Sequence, residues 1–327
     1  MFSRKKKADV SQAERNNALI ESLLTDAFAE QKKSRRWGVL FKSLTFAYLF
    51  VTIMLFYTSI NGGGKKGKKA NTPHVAIVQV RGPIGIDSDA SAAKINSGIR
   101  RAFKQEQAKA IILAINSPGG SPVQSAYVYD EIIRLKEKHP DKKVYAVIED
   151  VGASGAYYIA AAADEIYANP ASIVGSIGVI AAGFGFVDLI DKLGVERRIY
   201  SSGESKAFLD PFSTPKESQI AYWQTVLDDV HQQFIDAVKA GRKDKLADDP
   251  TIFSGKVFNG AKAKEIGLID GLGSARFVAR EIIGQEKLLN YSHKKSPLNR
   301  VLENFGLSVG KGIASTLDTQ GALPELQ

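Results

Sequence analysis

Ser154 stands in the run Asp150-Val-Gly-Ala-Ser-Gly-Ala-Tyr-Tyr-Ile159, one small hydroxyl among glycine and alanine, just ahead of an Ala-rich stretch. Small neighbours let the backbone turn sharply and let a substrate carbonyl approach the hydroxyl. A helix opening behind the serine would favour the anion that forms when the hydroxyl attacks. These are the needs of a serine nucleophile. A serine N-cap has the same pattern, so this stretch alone leaves both readings open. A second run, Asn116-Ser-Pro-Gly-Gly-Ser-Pro122, lies between the apolar stretch Ala110–Ile115 and a helical one. Two glycines at such a turn can leave backbone N–H groups facing a ligand, which is one way to build an oxyanion hole. A tight turn with Pro122 starting the next helix also fits.

A nucleophilic serine needs a base. The four histidines, His74, His139, His231 and His293, each read as surface or packing residues, and none has a context that recommends it. A lysine can serve instead, provided it is neutral. An ordinary lysine titrates near pH ~10.4, so lowering it by about 3 units disfavours the charged form by roughly 4 kcal/mol, which burial can supply. The chain has no cysteine, which excludes disulfides, a thiolate nucleophile and Cys-ligated metal sites.

The elements that must hold these residues alternate. Short β-rich runs at Val75–Val80, Ala110–Ile115, Val144–Ile148, Glu165–Ala168, Ile173–Ile180 and Arg198–Ser201 are separated by helical stretches around Ala90–Gln107, Val123–Glu137, Ser154–Ala163 and Phe186–Leu193. The expectation is an α/β fold of βαβ units with a mainly parallel sheet and helices on its faces. A long amphipathic stretch from Pro215 to Ala240 sets Tyr222, Val226, Val230, Phe234 and Val238 at helical spacing, as a packing helix or part of a subunit interface. Shorter helical segments at Ala261–Ile266 and Ser274–Ile283 close the domain, and 291–327 reads as an accessory tail.

Charge is unevenly placed. Residues 1–69 carry 14 Lys/Arg and 5 Asp/Glu, and the rest of the chain carries 30 of each sign. The basic balance is therefore a property of the N-terminal segment, and it does not make the folded part a nucleic-acid binder. Within that segment Trp37–Ile60 is apolar except for Lys42. At ~1.5 Å per residue it is long enough to cross a bilayer core of about 30 Å. It reads as one transmembrane anchor rather than a cleavable signal peptide, because the leader is long and no small-x-small site follows. The expected organisation is a basic cytoplasmic tail (1–36), the anchor (37–60), a Gly/Lys linker (61–73), a catalytic domain (74–290) and the tail. Arg4, Lys5, Lys6, Lys7 and Arg15 tip the charge balance towards a cytoplasmic N-terminus, with the catalytic domain on the outer face.

From about Val75 to Ile283 the sequence resembles the signal peptide peptidase A family of membrane-anchored bacterial serine peptidases. Four runs carry the resemblance in the family's order: Asn116-Ser-Pro-Gly-Gly120; Gly152-Ala-Ser-Gly-Ala-Tyr-Tyr158; Val174-Gly-Ser-Ile-Gly-Val179 with Ser201-Ser-Gly-Glu-Ser-Lys206; and the segment Gly255 to Asp270. The resemblance implies a fold like the crotonases and ClpP proteases and a Ser–Lys dyad, matched here by Ser154 and Lys206. It makes Gly119 and Gly120 the expected oxyanion hole and Ser176 a candidate for orienting Lys206, although a turn hydroxyl between two glycines fits Ser176 as well. It implies no metal and no organic cofactor. It also implies peptide substrates such as remnant signal peptides, a bacterial inner-membrane location and a ring-like homo-oligomer of a short, single-unit form. Ser154 and Lys206 stand 52 positions apart and could come from adjacent subunits. Three other readings stay open: a related quality-control protease of the membrane, an acyl-CoA enzyme such as a hydratase on the same fold, and a catalytically silent oligomeric scaffold.

Overall fold

The protein is described here by a computed structural model covering residues 72–293, the helix Glu30–Met54 apart from Ser34, and Thr25, Phe56 and Tyr57. Most of the expected basic tail, most of the linker and nearly all of the C-terminal tail lie outside the described residues. Two units divide the chain, Lys69–Lys294 being one of them. In the other, helix α1 (Glu30–Met54) is 25 residues long, exposed throughout, and apolar enough to cross a membrane. It begins seven residues before the expected Trp37, taking in basic residues on its first two turns.

The folded unit is built on a sheet whose centre is parallel. Strand β1 (His74–Arg81) leads through α2 (Ala92–Lys104) to β2 (Ala108–Ser117), which leads through α3 (Pro122–Lys138) to β3 (Val144–Ala153). Nearly every residue of β2 is buried, as a strand covered on both faces requires. On one face Ile111, Leu113 and Ile115 pack under α2, α3 and α4 (Gly155–Ala161). On the other, Ala110 and Ile112 meet Tyr145, Val147, Tyr167 and Val278. The sheet forks at β3. Its first half pairs in parallel with β4 (Glu165–Ala168), whereas its last three residues pair with β5 (Ile173–Gly175).

The sequence runs differ from the observed strands at two places. The expected Ile173–Ile180 strand stops at Gly175, because Ser176 takes φ +52° and cannot continue the ladder. Arg198–Ser201 forms no strand: Ile199 and Tyr200 are exposed, and β propensity without a neighbouring strand or a buried face does not suffice. Beyond them, α5 (Val187–Lys192) buries nothing, and α6 (Glu217–Arg242) buries only its C-terminal half, at Phe234, Ala237, Val238 and Arg242. The short strands β6 (Val257–Asn259, antiparallel on β5), β7 (Gly271–Leu272, on β4) and β8 (Leu288–Asn290, on β1) complete the sheet, with α7 (Gly260–Glu265) between β6 and β7. These strands are two or three residues long, too short for a period-2 pattern.

Two ion-pair clusters fix the helices. Arg242, only 1% exposed, grips Asp270 with both Nη atoms at 2.7 and 3.1 Å and donates from Nε to Gly267 O at 2.9 Å. Lys245 adds 2.6 Å to the same carboxylate, which also accepts the Ile166 N–H at 2.7 Å. Burial alone would raise the Asp270 pKa, but these donors outweigh it and hold the carboxyl below its usual range. Breaking one side of such a buried pair costs about 3–5 kcal/mol.

Between α2 and α3, Glu131 accepts from Arg134 at 2.7 and 2.8 Å and also from Arg100. The Arg134 hydrogen bonds, opposed by burial and reinforced by Arg100, bring its carboxyl to about 2 from 4.5. A depressed folded pKa means stability present above pH 4.5 and lost as pH falls towards about 2. Because both arginines are half exposed, Glu131→Gln should lower stability at neutral pH by roughly 1–2 kcal/mol. The same substitution should flatten the dependence of Tm on pH across that window. A wild-type slope retained by the variant, read by scanning calorimetry, would assign the acid sensitivity elsewhere.

Candidate active site

Strand β3 runs out at Ala153, and Ser154 turns the corner into α4 with φ +53° and ψ −128°. A non-glycine residue held there stores about 1–3 kcal/mol of strain and persists only where its surroundings over-determine it. The Ser154 N–H continues the β3–β5 ladder to Gly175 O at 2.8 Å, while its carbonyl accepts from Tyr157 and Tyr158 at 2.8 and 3.0 Å. Ser154 occupies the N-cap position, yet its hydroxyl makes no capping hydrogen bond. The capping alternative therefore describes the position of Ser154 and not the use of its hydroxyl.

The Asn116–Pro122 turn packs directly on this corner. A Cβ on Gly119 (φ +96°) would stand 2.7 Å from both Ser154 Cβ and Gly155 N, and one on Gly120 (φ +147°) would collide with Ile84 O. Only glycine fits at either position. The Gly119 N–H is donated to Ser117 Oγ at 3.1 Å, and its carbonyl accepts from Ile84 at 2.8 Å. Among the described residues, neither the Gly120 N–H nor the Gly155 N–H has an acceptor. Gly155 was not singled out by the sequence. The signal was there in principle, because the first N–H of a helix has no partner within it. A Cβ at Gly155 would also crowd Ser125 Oγ, so this helix start has to be glycine.

Ser154, Gly120 and Gly155 line a cleft of about 380 Å³ between α3, α6 and the chain after β5. Its walls are largely apolar, from Val123, Tyr127, Tyr158, Val179, Val230 and Phe234. Tyr158 stacks on Phe234 at 4.9 Å, and its hydroxyl pKa is raised by burial and, next, by Asp130. Tyr157 is core: it is fully buried, donates to Leu268 O at 2.6 Å, and burial pushes its pKa well up.

The other two expected site residues do not line this cleft. Lys206 is exposed in a turn, its N–H bonded to Gly203 O at 3.2 Å, and it does not line the Ser154 cleft. Ser176, half-buried, follows the Gly175 carbonyl that holds Ser154 and donates its own N–H to Lys256 O at 2.8 Å. Of the histidines, buried His74 bonds Tyr291 Oη at 2.8 Å, His139 stacks on Phe103, and His231 Nε2 donates to Ile177 O at 3.0 Å. His231 thus ties α6 to the segment bordering the cleft, a contact its sequence context did not reveal. Among the described residues no group of three or more His, Asp or Glu could hold a metal ion. Gly119→Ala should displace Ser154 and cut its labelling by a fluorophosphonate at least about tenfold, since an error of ~1 Å can forfeit that much reactivity. Labelling at the wild-type rate would show that the corner relaxes without consequence.

The pattern of Peptidase family S49 matches residues 136–288, which take in β3, Ser154, Ser176 and Lys206. A Brucella abortus protein named as the Na(+)/H(+) antiporter NhaA is 46% identical over 213 residues, 65% of this chain and 29% of that protein. An Enterococcus faecium protein with the provisional name signal peptide peptidase SppA is 30% identical over 190 residues, 58% of this chain and 55% of its own length. A Synechocystis protein with a provisional protease name is 34% identical over 212 residues, 63% of this chain and 72% of that one. The chain thus spans under a third of the antiporter-named relative and about half of the enterococcal one. The Synechocystis relative, 34% identical and covered over 72% of its length, and the family pattern that takes in the strained Ser154 corner place this chain in peptidase family S49.

Proposed function

We propose that this protein is a membrane-anchored serine endopeptidase in which Ser154 is the nucleophile and Lys206 the general base. The observation that carries the proposal is the Ser154 hydroxyl, uncommitted to its helix and held at a strained corner in an apolar cleft. Neutral Lys206 takes the proton from Ser154 Oγ as the oxygen attacks a peptide carbonyl carbon. The N–H groups of Gly120 and Gly155 receive the oxyanion. Gly119, whose N–H is engaged by Ser117, contributes to the oxyanion hole by letting the turn approach the serine. As the C–N bond breaks, Lys206 returns the proton to the leaving amine, and water then repeats the sequence to release the acid. The Ser176 hydroxyl accepts an N–H from Lys206 and aims its lone pair.

Lys206 reaches the cleft from a neighbouring copy. Its exposure in the single chain supports this, as do the exposed apolar side chains of the segment that carries it: Ile180 is 87% exposed, Phe184 81% and Tyr200 90%. A second copy laid over that surface would bury the lysine, which is the environment a lysine base needs. Helix α1 is the anchor, with the catalytic unit on the outer face of the inner membrane. The substrates are remnant signal peptides and similar short apolar segments, a reading supported by the cleft's apolar walls and the enterococcal relative's name. The antiporter name is not carried over, since the match takes in 29% of that protein.

Fluorophosphonate labelling across pH 6–10 tests the dyad. Labelling should rise with pH and should be abolished in both Ser154→Ala and Lys206→Ala. Mixing the two inactive variants and allowing subunits to exchange should restore part of the peptidase activity, because some sites would then receive both residues. Activity in either single variant would overturn the dyad, and a failure of the exchanged mixture would place both residues in one subunit.

A further inference from the structure

We infer that Asp130 selects a basic substrate side chain beside the apolar one seated in the Ser154 cleft. The inference rests on the peptidase reading and names the substrate feature that the cleft would recognise. Asp130 is the one charged residue among those lining the cleft, and its neighbours Val123, Ala126, Tyr158 and Phe234 offer no ion. Asp130 is exposed to solvent as well as lining the cleft. The nearby cations Arg100 and Arg134 are both engaged by Glu131. Among the described residues no basic group lies within ion-pair distance of Asp130.

Its field reaches into the cleft all the same, because the hydroxyl pKa values of Tyr158 and Tyr129 are raised by burial and also by Asp130. Tyr127 and Asp130 also border a second hollow of about 550 Å³ between α2 and α3, so a chain passing from the cleft into it crosses the carboxylate. An extended peptide advances ~3.3 Å per residue, which puts a lysine or arginine next to a buried apolar side chain within reach of the rim. Signal peptides carry such a junction, a basic segment leading into an apolar one. A carboxylate that shares the cleft lining with Tyr127 and Tyr158 and has no cation of its own is suited to hold that cation.

The test uses the full-length protein and three fluorogenic peptides that differ only in Lys, Gln or Glu beside a common leucine. Wild type should prefer Lys over Gln by about three- to tenfold in kcat/KM at low salt. The preference should fade near 1 M salt, where the Debye length is about 3 Å. Asp130→Asn should bring the ratio close to one, Asp130→Glu should keep it, and Asp130→Lys should turn it towards the Glu peptide. A Lys preference that survives Asp130→Asn, or that ignores salt, overturns the inference. Binding of the same peptides to Ser154→Ala, read by fluorescence anisotropy, separates the two claims. The same ranking in binding without turnover by wild type would support Asp130 and sink the peptidase reading. Equal turnover of all three peptides would sink Asp130 and leave the peptidase standing.

Discussion

Three backbone segments converge where β3 ends, and there is no room between them for side chains. Ser154 sits at that convergence with Gly119 and Gly155 pressed against it, and Gly120 is packed on the Ile84 carbonyl. The corner forces Ser154 into a left-handed backbone, a conformation that a serine adopts only under constraint. The constraint is a set of hydrogen bonds on both sides: Gly175 holds the amide, and the first turn of α4 holds the carbonyl. With the main chain so fully engaged, the side chain has one direction left, into the cleft. Everything proposed for the chemistry depends on this crowding.

What keeps the crowd together lies behind the corner. Tyr157, three residues past the serine, is tied to Leu268, and the turn that carries Leu268 is gripped by Arg242 through Gly267 and Asp270. The charge of Asp270 is matched by Arg242 and Lys245, and one of its oxygens also caps the start of β4. The long helix, the fork of the sheet and the serine helix are thereby one mechanical unit. A parallel sheet buried on both faces suits this role, because its strands cannot shift without disturbing helices on either side.

The chain between the cleft and α6 is built on another principle. It has aromatic contacts of its own, such as Phe186 on Phe212 at 5.4 Å, and an Arg197–Asp210 pair at 3.1 Å, but α5 buries no residue. Large apolar side chains of this segment remain exposed, as does Lys206. A surface of this kind is unusual for a chain that acts alone. In the proposed mechanism the two parts divide the labour: the rigid half supplies the nucleophile and the oxyanion donors, and this more exposed segment supplies the base.

Residue types and order in the sequence were enough for the α/β alternation, the buried central strands, the apolar N-terminal helix and the family. Hydrophobic runs and glycine-flanked turns are local, and local signals are written in the sequence itself. Ser154 and the two glycines of the Asn116–Pro122 turn were legible for the same reason. Strands of two or three residues such as β6 and β7 were not, since pairing creates them and pattern does not. The missing Arg198–Ser201 strand has the same origin, since a strand exists where another strand offers its edge, whereas the early stop at Gly175 is set by the positive φ of Ser176. The tertiary structure alone decided that Gly119 spends its amide on Ser117, that Gly155 keeps its own, and that Lys206 does not line the cleft of its own chain. Those outcomes turn on directions and distances between segments far apart in sequence, and only folding sets them.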